Sequence, residues 1–193
     1  MLAVARQRVV TDARVTWQTA DTMALPFTDA TFDIVVCQFG LIFVPDQAQA
    51  IRECFRVLKP HGHVVFSVWG SLDENPIGRI AGETIREHFP VDPPQFYLVP
   101  FGLHDPAPIR AWLDDAGFSR VRMDQVDLVG ESATAERASA GLVLGNPIII
   151  AINERGTVSP DVLVADVAAK LEREGGRAPM RLPMRARVFT AIK

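Results

Sequence analysis

The fold is decided by residues 32–69, FDIVVCQFGLIFVPDQAQAIRECFRVLKPHGHVVFSVW. Residues 32–37 form a nearly continuous β-branched run, which is typical of a strand buried on both faces of a parallel sheet. Residues 63–69 repeat that pattern. Between the two runs, Asp46 offers an N-cap, and residues 47–58 place apolar side chains on one helical face. A strand, a helix and a strand within about 40 residues predict a right-handed βαβ unit.

The flanking segments extend this α/β pattern. Periodicity favours a helix within residues 1–10 and a strand at 15–20. Residues 90–108 carry six prolines and favour an ordered loop over a pocket. Further elements are predicted in the C-terminal half: helices at 73–89, 105–116, 133–144 and 160–174, and strands at 118–129 and 182–192.

Composition limits the function classes. The 193 residues carry 20 basic and 23 acidic side chains, a net charge of −3, which argues against a generic nucleic-acid binder. The apolar stretches are too short to span a bilayer, and residues 1–14 lack the apolar core of a signal peptide. Cys37 and Cys54 lie in apolar surroundings, which favours buried reduced thiols. We therefore expect a cytoplasmic protein without a membrane span.

The carboxyl ends of the predicted strands locate the chemistry. Ligands of an open parallel sheet bind beyond these ends, which selects Asp21, residues 37–40 and residues 68–70. Each place also has an ordinary structural interpretation: Asp21 caps a turn, Gln38 is solvated and Trp69 belongs to the core. Taken together, they fit better as one cleft.

Other polar residues have structural explanations. The four histidines are not at metal spacings, so no metal site is expected. Asp33 lies at the amino end of its strand, away from the predicted cleft. His104 could touch a substrate, but Asp105 before Pro106 fits a turn and a helix cap better.

The same stretch carries a family resemblance. The segments ADTMALPFTDATFDIVVCQFGLIFVPD (20–46) and AIRECFRVLKPHGHVVFSVWG (50–70) resemble the middle of class I S-adenosylmethionine-dependent methyltransferases. They are similar to the small-molecule branch that includes the ubiquinone and menaquinone biosynthesis enzymes. The patterns D-x-x-x-L-P-F, F-D-x-V-V and R-V-L-K-P-x-G are specific in combination. The similarity is strong over 15–70 and weaker towards the C-terminus, and His61 stands where the family usually has glycine.

The resemblance implies an α/β fold, with a Rossmann-like, mostly parallel sheet, helices on both faces and an antiparallel C-terminal strand. It also implies one domain over residues 1–193, with a core at 15–70 and a substrate-side, sheet-closing part at 71–193. The cofactor would be S-adenosylmethionine and the partner a small-molecule methyl acceptor.

The family's site residues transfer to matching positions of this chain. By resemblance, Asp21 would accept a hydrogen bond from the adenine amino group, while Thr22 and Met23 would pair with and pack on the ring. The methionine arm and the sulfonium would be lined by Gln38, Phe39 and Gly40. The candidates for the acceptor pocket are Phe43, Trp69 and Phe101. No general base is assigned.

One departure from the family affects function. The family's glycine-rich turn has no counterpart here, because none of the 13 glycines forms G-x-G and all lie downstream of Asp21. The resemblance therefore implies that the family's first two strands and the helix between them are absent, together with half of the cofactor site. We expect at least tens-fold weaker cofactor binding than in an intact relative. The alternative is a non-catalytic fragment or paralogue that acts only by association, and an upstream start would reconcile the two.

The implied loss also exposes a sheet edge. The family's strand order, 3-2-1-4-5-7-6, leaves one side of the strand at 32–37 without a neighbour. That strand is apolar and has no Pro or Lys to protect its edge. Three outcomes are open: residues 15–20 pair with it, a second copy of the chain covers it in a homodimer, or the chain aggregates. We expect one of the first two.

Overall fold

The computed structural model describes residues 2–8 and 14–193. The strands are β1 (Phe32–Gln38), β2 (Leu58–Trp69), β3 (Ser119–Ser132) and β4 (Met180–Ile192). A 3-10 helix (Leu41–Phe43) follows β1. The α-helices are α1 (Leu2–Arg8), α2 (Gln47–Val57), α3 (Pro76–His88), α4 (Leu98–Gly102), α5 (Pro106–Ala116), α6 (Ala135–Leu144), α7 (Ile148–Arg155) and α8 (Pro160–Gly175). Residues 1, 9 and 10 of the helix predicted at 1–10 lie outside the described residues.

The predicted βαβ unit is confirmed. Asp46 caps α2, because its Oδ1 accepts a hydrogen bond from Gln49 N at 2.8 Å. The strands β1 and β2 run parallel, with Val36 beside Val65. Their connection through α2 places the carboxyl ends of both strands at the same edge of the sheet.

The sheet has four strands in the order β1-β2-β4-β3. β4 is antiparallel to both of its neighbours. Phe66 of β2 lies opposite Phe189 of β4, and their rings stack at 5.2 Å between centroids. The order matches strands 4-5-7-6 of the family pattern, so the α/β class and the antiparallel C-terminal strand are confirmed.

One face of the sheet is covered by α2 and α5, and we call it the helical face. Ile51 of α2 and Leu113 of α5 are fully buried there against Phe66 and Phe189. Each such side chain contributes roughly 1.5–3 kcal/mol by its burial. Local signals fix the limits of α5: Asp105 Oδ1 accepts from Ala107 N at 2.9 Å, and Gly117 takes φ +96° at the other end.

The opposite face, which we call the open face, differs from the sequence prediction. By strand register it presents Ile34, Val36, Val65, Val126, Leu128, Met184, Ala186 and Val188. Ile34, Val36 and Leu128 keep 59%, 68% and 67% of their surface exposed. The described residues thus leave this face without covering helices, and β1 is not buried on both faces. The apolar run alone could not show this, because burial needs a second layer to pack against.

The strand predicted at residues 15–20 is also wrong. These residues have no regular secondary structure, and Val15 is exposed. They do not pair with β1, which overturns the first expected outcome for its edge. A strand forms only where another strand accepts its hydrogen bonds, and propensity does not supply that partner. A homodimer stays a prediction.

Two other regions were only partly predicted. The helix α2 ends at Val57, before the Lys-Pro-His-Gly segment, as expected, but β2 already begins at Leu58, five residues before the expected start. The register with β1 shifts across this segment, so it is an irregular part of the strand. His61 takes φ +65° there, which explains why glycine suits this position. The proline-rich loop contains α4, and α7 was not predicted at all.

The helices α3, α6, α7 and α8 pack together as a helical lobe beside one end of β4. Ile85, Val143, Ile152 and Leu163 are fully buried in this lobe, and Leu182 of β4 joins them. Within the described part of the chain, no single helix is long and apolar enough to cross a bilayer. The bent pair α6 and α7 meets that criterion only when the two helices are taken together.

Candidate functional site

The rings of Phe39, Trp69 and Phe101, which we call the aromatic wall, lie at the carboxyl ends of β1 and β2. The Phe39 ring stacks on Trp69, with centroids 4.1 Å apart and an angle of 17° between the planes. Phe101 of α4 continues the wall, its centroid 6.2 Å from that of Trp69. The structure therefore brings together three residues that sequence analysis assigned to two separate groups.

Phe39 has an unusual backbone. Its φ is +52°, in the left-handed region that residues other than glycine seldom adopt. Its N–H donates to the Ser67 backbone oxygen and to Ser67 Oγ, both at 3.2 Å. Such strain costs of order 1–3 kcal/mol and often marks functional sites. Only the following glycine, Gly40, indicates an unusual backbone here from sequence.

The neighbours of Phe39 lie as follows. Gln38 is exposed at the end of β1. An added Cβ on Gly40 would lie 2.9 Å from Cys37 Sγ, so this turn has no room for a side chain. Phe43 is 57% exposed and is not buried in the wall. Gln38, Phe39 and Trp69 also border an apolar groove of about 480 Å³ that continues across the open face.

Asp21 closes a tight turn. Its Oδ1 accepts from Met23 N at 2.9 Å, and its backbone oxygen accepts from Ala24 N at 3.1 Å. Asp21 and Thr22 are exposed, whereas Met23 is half-buried and its backbone oxygen accepts from Gln49 Nε2 of α2. The structural interpretation of Asp21 is thus confirmed. The second oxygen of its exposed carboxylate, Oδ2, can accept a further hydrogen bond.

Arg56 of α2 pins the loop that follows Asp21. Its guanidinium donates to the backbone oxygens of Leu25 (2.9 Å) and Phe27 (2.7 Å). It also makes a two-point contact with Glu53, through bonds of 2.8 Å from both Nε and Nη2. These bonds hold the pKa of the Glu53 carboxyl below its ordinary value. Glu53 Oε2 in turn accepts from Leu25 N at 2.7 Å.

Sequence analysis missed this contact, although both partners stood in the quoted motifs. Leu25 and Phe27 belong to D-x-x-x-L-P-F, and Arg56 is the first residue of R-V-L-K-P-x-G. The spacing of Glu53 and Arg56, three residues apart on one helix, was the available signal. In this structure, the second motif therefore holds the first in place through Arg56.

A second polar cluster fixes the turn after β2. Burial raises the pKa of the Glu74 carboxyl, but hydrogen bonds from Arg185 and Arg187 (each 3.0 Å) and from Ser71 N outweigh it and bring the pKa to about 2. Asn75 is fully buried, donates to the Arg185 oxygen and accepts from Arg185 N at 3.0 Å. This Glu74 cluster ties the segment after Trp69 to β4.

The position of Phe101 depends on a glycine. A Cβ on Gly78 of α3 would lie 2.4 Å from the Phe101 ring, so the ring packs directly on the helix backbone. Tyr97 lies over Gly82 one turn later, and its hydroxyl donates to the Leu142 oxygen at 2.9 Å. Burial raises the pKa of Tyr97, so its hydroxyl stays protonated near neutral pH and acts as a hydrogen-bond donor.

The remaining sequence interpretations are structural ones. Lys59 Nζ lies 2.9 Å from Asp33 at the amino end of β1, which agrees with a structural role for Asp33. Cys37 and Cys54 are free and half-buried. Burial raises the pKa of the Cys54 thiol to about 12, so it stays protonated near neutral pH.

The sheet order and the βαβ unit define a Rossmann-like α/β protein, and the polar and aromatic residues at the strand ends form a candidate ligand site at its carboxyl edge. The family model described as a methyltransferase domain matches residues 1–66. A demethylmenaquinone methyltransferase of Lactobacillus johnsonii is 46% identical over 70 residues, which are 36% of this chain and 28% of that protein.

Solved structures agree in fold. The BH2331 protein of Bacillus halodurans has a TM-score of 0.60 at 16% identity, and the match covers 100% of this chain and 78% of that one. A Haemonchus contortus phosphoethanolamine N-methyltransferase in complex with S-adenosyl-L-methionine gives 0.55 at 20% identity, covering 100% and 41%. The chain is similar in fold to these proteins, and its residues 1–66 carry the match to the methyltransferase domain. It spans little more than a quarter of the length of the Lactobacillus relative.

Proposed function

We propose that the chain serves S-adenosylmethionine-dependent methyl transfer to a small-molecule acceptor, through a single domain over residues 1–193. The observation that carries this proposal is the strained Phe39 stacked on Trp69 at the carboxyl ends of two parallel strands. A cytoplasmic location is part of the proposal and is supported by the free thiols of Cys37 and Cys54.

The residues present fit the cofactor on one side. The turn at Phe39 and Gly40 has no room for a side chain at Gly40, and the wall beside it is uncharged and aromatic. Such a wall suits a sulfonium cation. We propose that Gln38, Phe39 and Gly40 hold the methionine arm, and that Asp21, Thr22 and Met23 hold the adenine. The bound cofactor would supply an electrophilic methyl group.

The chain's own residues would act by positioning. Trp69 and Phe101, with Phe43 at the rim, would orient a planar acceptor and exclude water from the reacting centre. A displacement of this type draws most of its rate from alignment, so a general base is not required for an acidic acceptor such as a phenol or enol. The Arg56 contact would keep the adenine-side loop in place.

The second candidate is a non-catalytic protein that acts by association. The uncovered open face favours it, since exposed apolar patches of this kind mark interaction sites. The sequence contains neither the glycine-rich turn nor an assigned ribose-binding acid, so we propose that these 193 residues provide half of a cofactor site.

Calorimetry with S-adenosylmethionine separates the two candidates. We expect weak binding, tens-fold or more below that of an intact relative, because two or more hydrogen bonds of roughly 1–3 kcal/mol are absent. Asp21→Asn should abolish the remaining binding, because it keeps the oxygen that caps the turn and loses the second acceptor. Asp115→Ala, an exposed aspartate on α5, is the matched control and should bind like the unmodified chain.

Three results would count against the proposal. A low-micromolar dissociation constant would refute the half-site. Unchanged binding by Asp21→Asn would remove Asp21 from the adenine site. No detectable binding at millimolar cofactor, with the fold intact, would favour the non-catalytic candidate.

A further inference from the structure

His104 lies beside the aromatic wall. It follows Phe101, a member of the wall, by three residues, and its Nδ1 lies 2.8 Å from the Phe101 backbone oxygen. Leu103, the residue before it, packs against the same buried cluster as Phe39 and Trp69. Two separate contacts therefore hold the segment that carries His104 close to the wall.

The hydrogen bond to Phe101 fixes the position of the proton on the neutral imidazole of His104. A carbonyl oxygen can only accept, so Nδ1 carries the hydrogen and donates it. In the neutral ring, Nε2 then keeps an unshared electron pair. The shape of the ring directs Nε2 away from the Phe101 oxygen, the side chain is exposed, and no described residue bonds to Nε2. His104 therefore presents a free proton acceptor at the edge of the wall.

Two titratable groups that support the wall are engaged in other contacts. Burial raises the pKa of Glu74, but the hydrogen bonds from Arg185 and Arg187 outweigh it and bring the pKa to about 2, so its carboxylate is a weak base. The Tyr97 hydroxyl donates to the Leu142 oxygen at 2.9 Å and keeps its proton. Neither group is placed to take a proton from a ligand on the wall.

Asp105, the residue after His104, is a competing base. Its Oδ1 accepts from Ala107 N at 2.9 Å and so begins α5, while its second oxygen is free to accept. Asparagine keeps the capping oxygen and removes the negative charge. Asp105→Asn therefore separates the capping role from a role as a base.

The bond from His104 to Phe101 also has a structural interpretation, because a side-chain donor can satisfy a carbonyl near the end of a helix. That role requires a single donor. An asparagine at position 104 can supply it, since Asn Nδ2 occupies nearly the same position as His Nδ1. The second ring nitrogen, Nε2, takes no part in the structural role.

We propose that His104 is the base for the methyl acceptor: the aromatic wall holds a planar acceptor with an acidic hydroxyl, and His104 Nε2 takes its proton. The O–H bond of the acceptor breaks, its electron pair stays on the oxygen, and the proton forms an N–H bond at Nε2. The imidazolium that results keeps its Nδ1–H bond to the Phe101 oxygen. This inference rests on the proposed function, to which it adds a residue that turns a protonated acceptor into a nucleophile.

The test needs no cofactor, so its outcome is independent of S-adenosylmethionine binding. The probe is para-nitrophenol, a planar phenol whose phenolate absorbs visible light and whose neutral form does not. It is titrated into the 193-residue chain at a pH at which the free phenol is mostly protonated. We expect binding to raise the phenolate absorbance about threefold or more over the same probe in buffer, because the imidazolium stabilises the anion.

Three variants assign the proton transfer. His104→Asn keeps a donor for the Phe101 oxygen and should show no gain in phenolate absorbance. Asp105→Asn is the matched control and should keep the full gain. Phe101→Leu keeps apolar volume without the ring and should bind the probe about fivefold more weakly. Far-ultraviolet circular dichroism verifies that each variant is folded.

Four results would overturn the proposal. The first is no phenolate gain with the unmodified chain, even where calorimetry detects S-adenosylmethionine binding. The second is an equal gain in His104→Asn. The third is a loss of the gain in Asp105→Asn with retention in His104→Asn, which would assign the base to Asp105. The fourth is unchanged binding by Phe101→Leu, which would place the probe away from the wall.

Discussion

Arg56→Ala should destabilise the protein by about 3 kcal/mol. The change removes the bonds to the backbone oxygens of Leu25 and Phe27, each worth about 1 kcal/mol. It also strips the largely buried Glu53 carboxylate of its two-point contact, which costs about 1–2 kcal/mol more. The bond to Asp29 adds little, since that carboxylate is exposed.

Urea unfolding, followed by far-ultraviolet circular dichroism, measures this loss. Arg52→Ala is the matched control: Arg52 lies one turn earlier on α2, bonds to Gln49 at 2.9 Å and should change stability by less than about 0.5 kcal/mol. Hydrogen exchange gives a local readout, because the Leu25 amide bonds to Glu53 and should exchange faster in Arg56→Ala. Equal stabilities of the two variants, or unchanged exchange at Leu25, would refute the role of Arg56.

Arg56→Lys separates charge from shape. Lysine keeps the positive charge but cannot make the planar two-point contact with Glu53 while donating to two carbonyls. We expect it to recover about half of the loss. Full recovery would mean that charge alone holds the loop, contrary to the geometry described above.

Two further predictions concern the aromatic wall and its support. The pKa of Glu74 is lowered from 4.5 to about 2, so its stabilisation is complete above pH 4.5 and is lost as the pH falls towards 2. Glu74→Gln should therefore lower the free energy of unfolding by about 2 kcal/mol at pH 7, after allowance for solvent screening. Between pH 5 and pH 2, the urea midpoint of the variant should fall less than that of the unmodified chain, and an equal fall in both would contradict this. Gly78→Ala should lower the free energy of unfolding by about 1–3 kcal/mol, because the added methyl group displaces the Phe101 ring. In a chain that already carries Phe101→Ala, the same change should have little effect. Gly141→Ala, where a Cβ meets open space, should be neutral or stabilising, and a loss equal to that of Gly78→Ala would refute the packing argument.

The sequence predicted those parts of the fold whose causes are local. Asp46 and Asp105 begin their helices with their own side chains, and Gly117 ends one by its positive φ. The helix α2 and the strands around it follow from apolar spacing within one short segment. These signals depend on residues a few positions apart, so the predictions made from them do not require knowledge of the tertiary structure.

Predictions that depended on distant partners were less successful. The segment 15–20 has good strand propensity, yet no strand beside it accepts its hydrogen bonds. Ile34 and Val36 look like core residues in sequence, but their burial requires a layer that the described residues do not supply. The helix α7 begins with three isoleucines in a row and so lacks the spacing that marks one helical face.

The site itself shows why family motifs could be recognised without revealing how they work. Three of the residues that carry the resemblance contact one another, because Arg56 donates hydrogen bonds to the backbone oxygens of Leu25 and Phe27. Their arrangement lets one guanidinium reach two backbone oxygens about thirty residues away in the chain. Phe39, in contrast, is distinguished by a backbone angle and by its stacking on Trp69, and neither leaves a fixed spacing in sequence. The motif residues therefore indicate how the loop beside the candidate site is held in place, and they do not indicate its chemistry. That chemistry has to be tested directly at Asp21, Phe39 and Trp69.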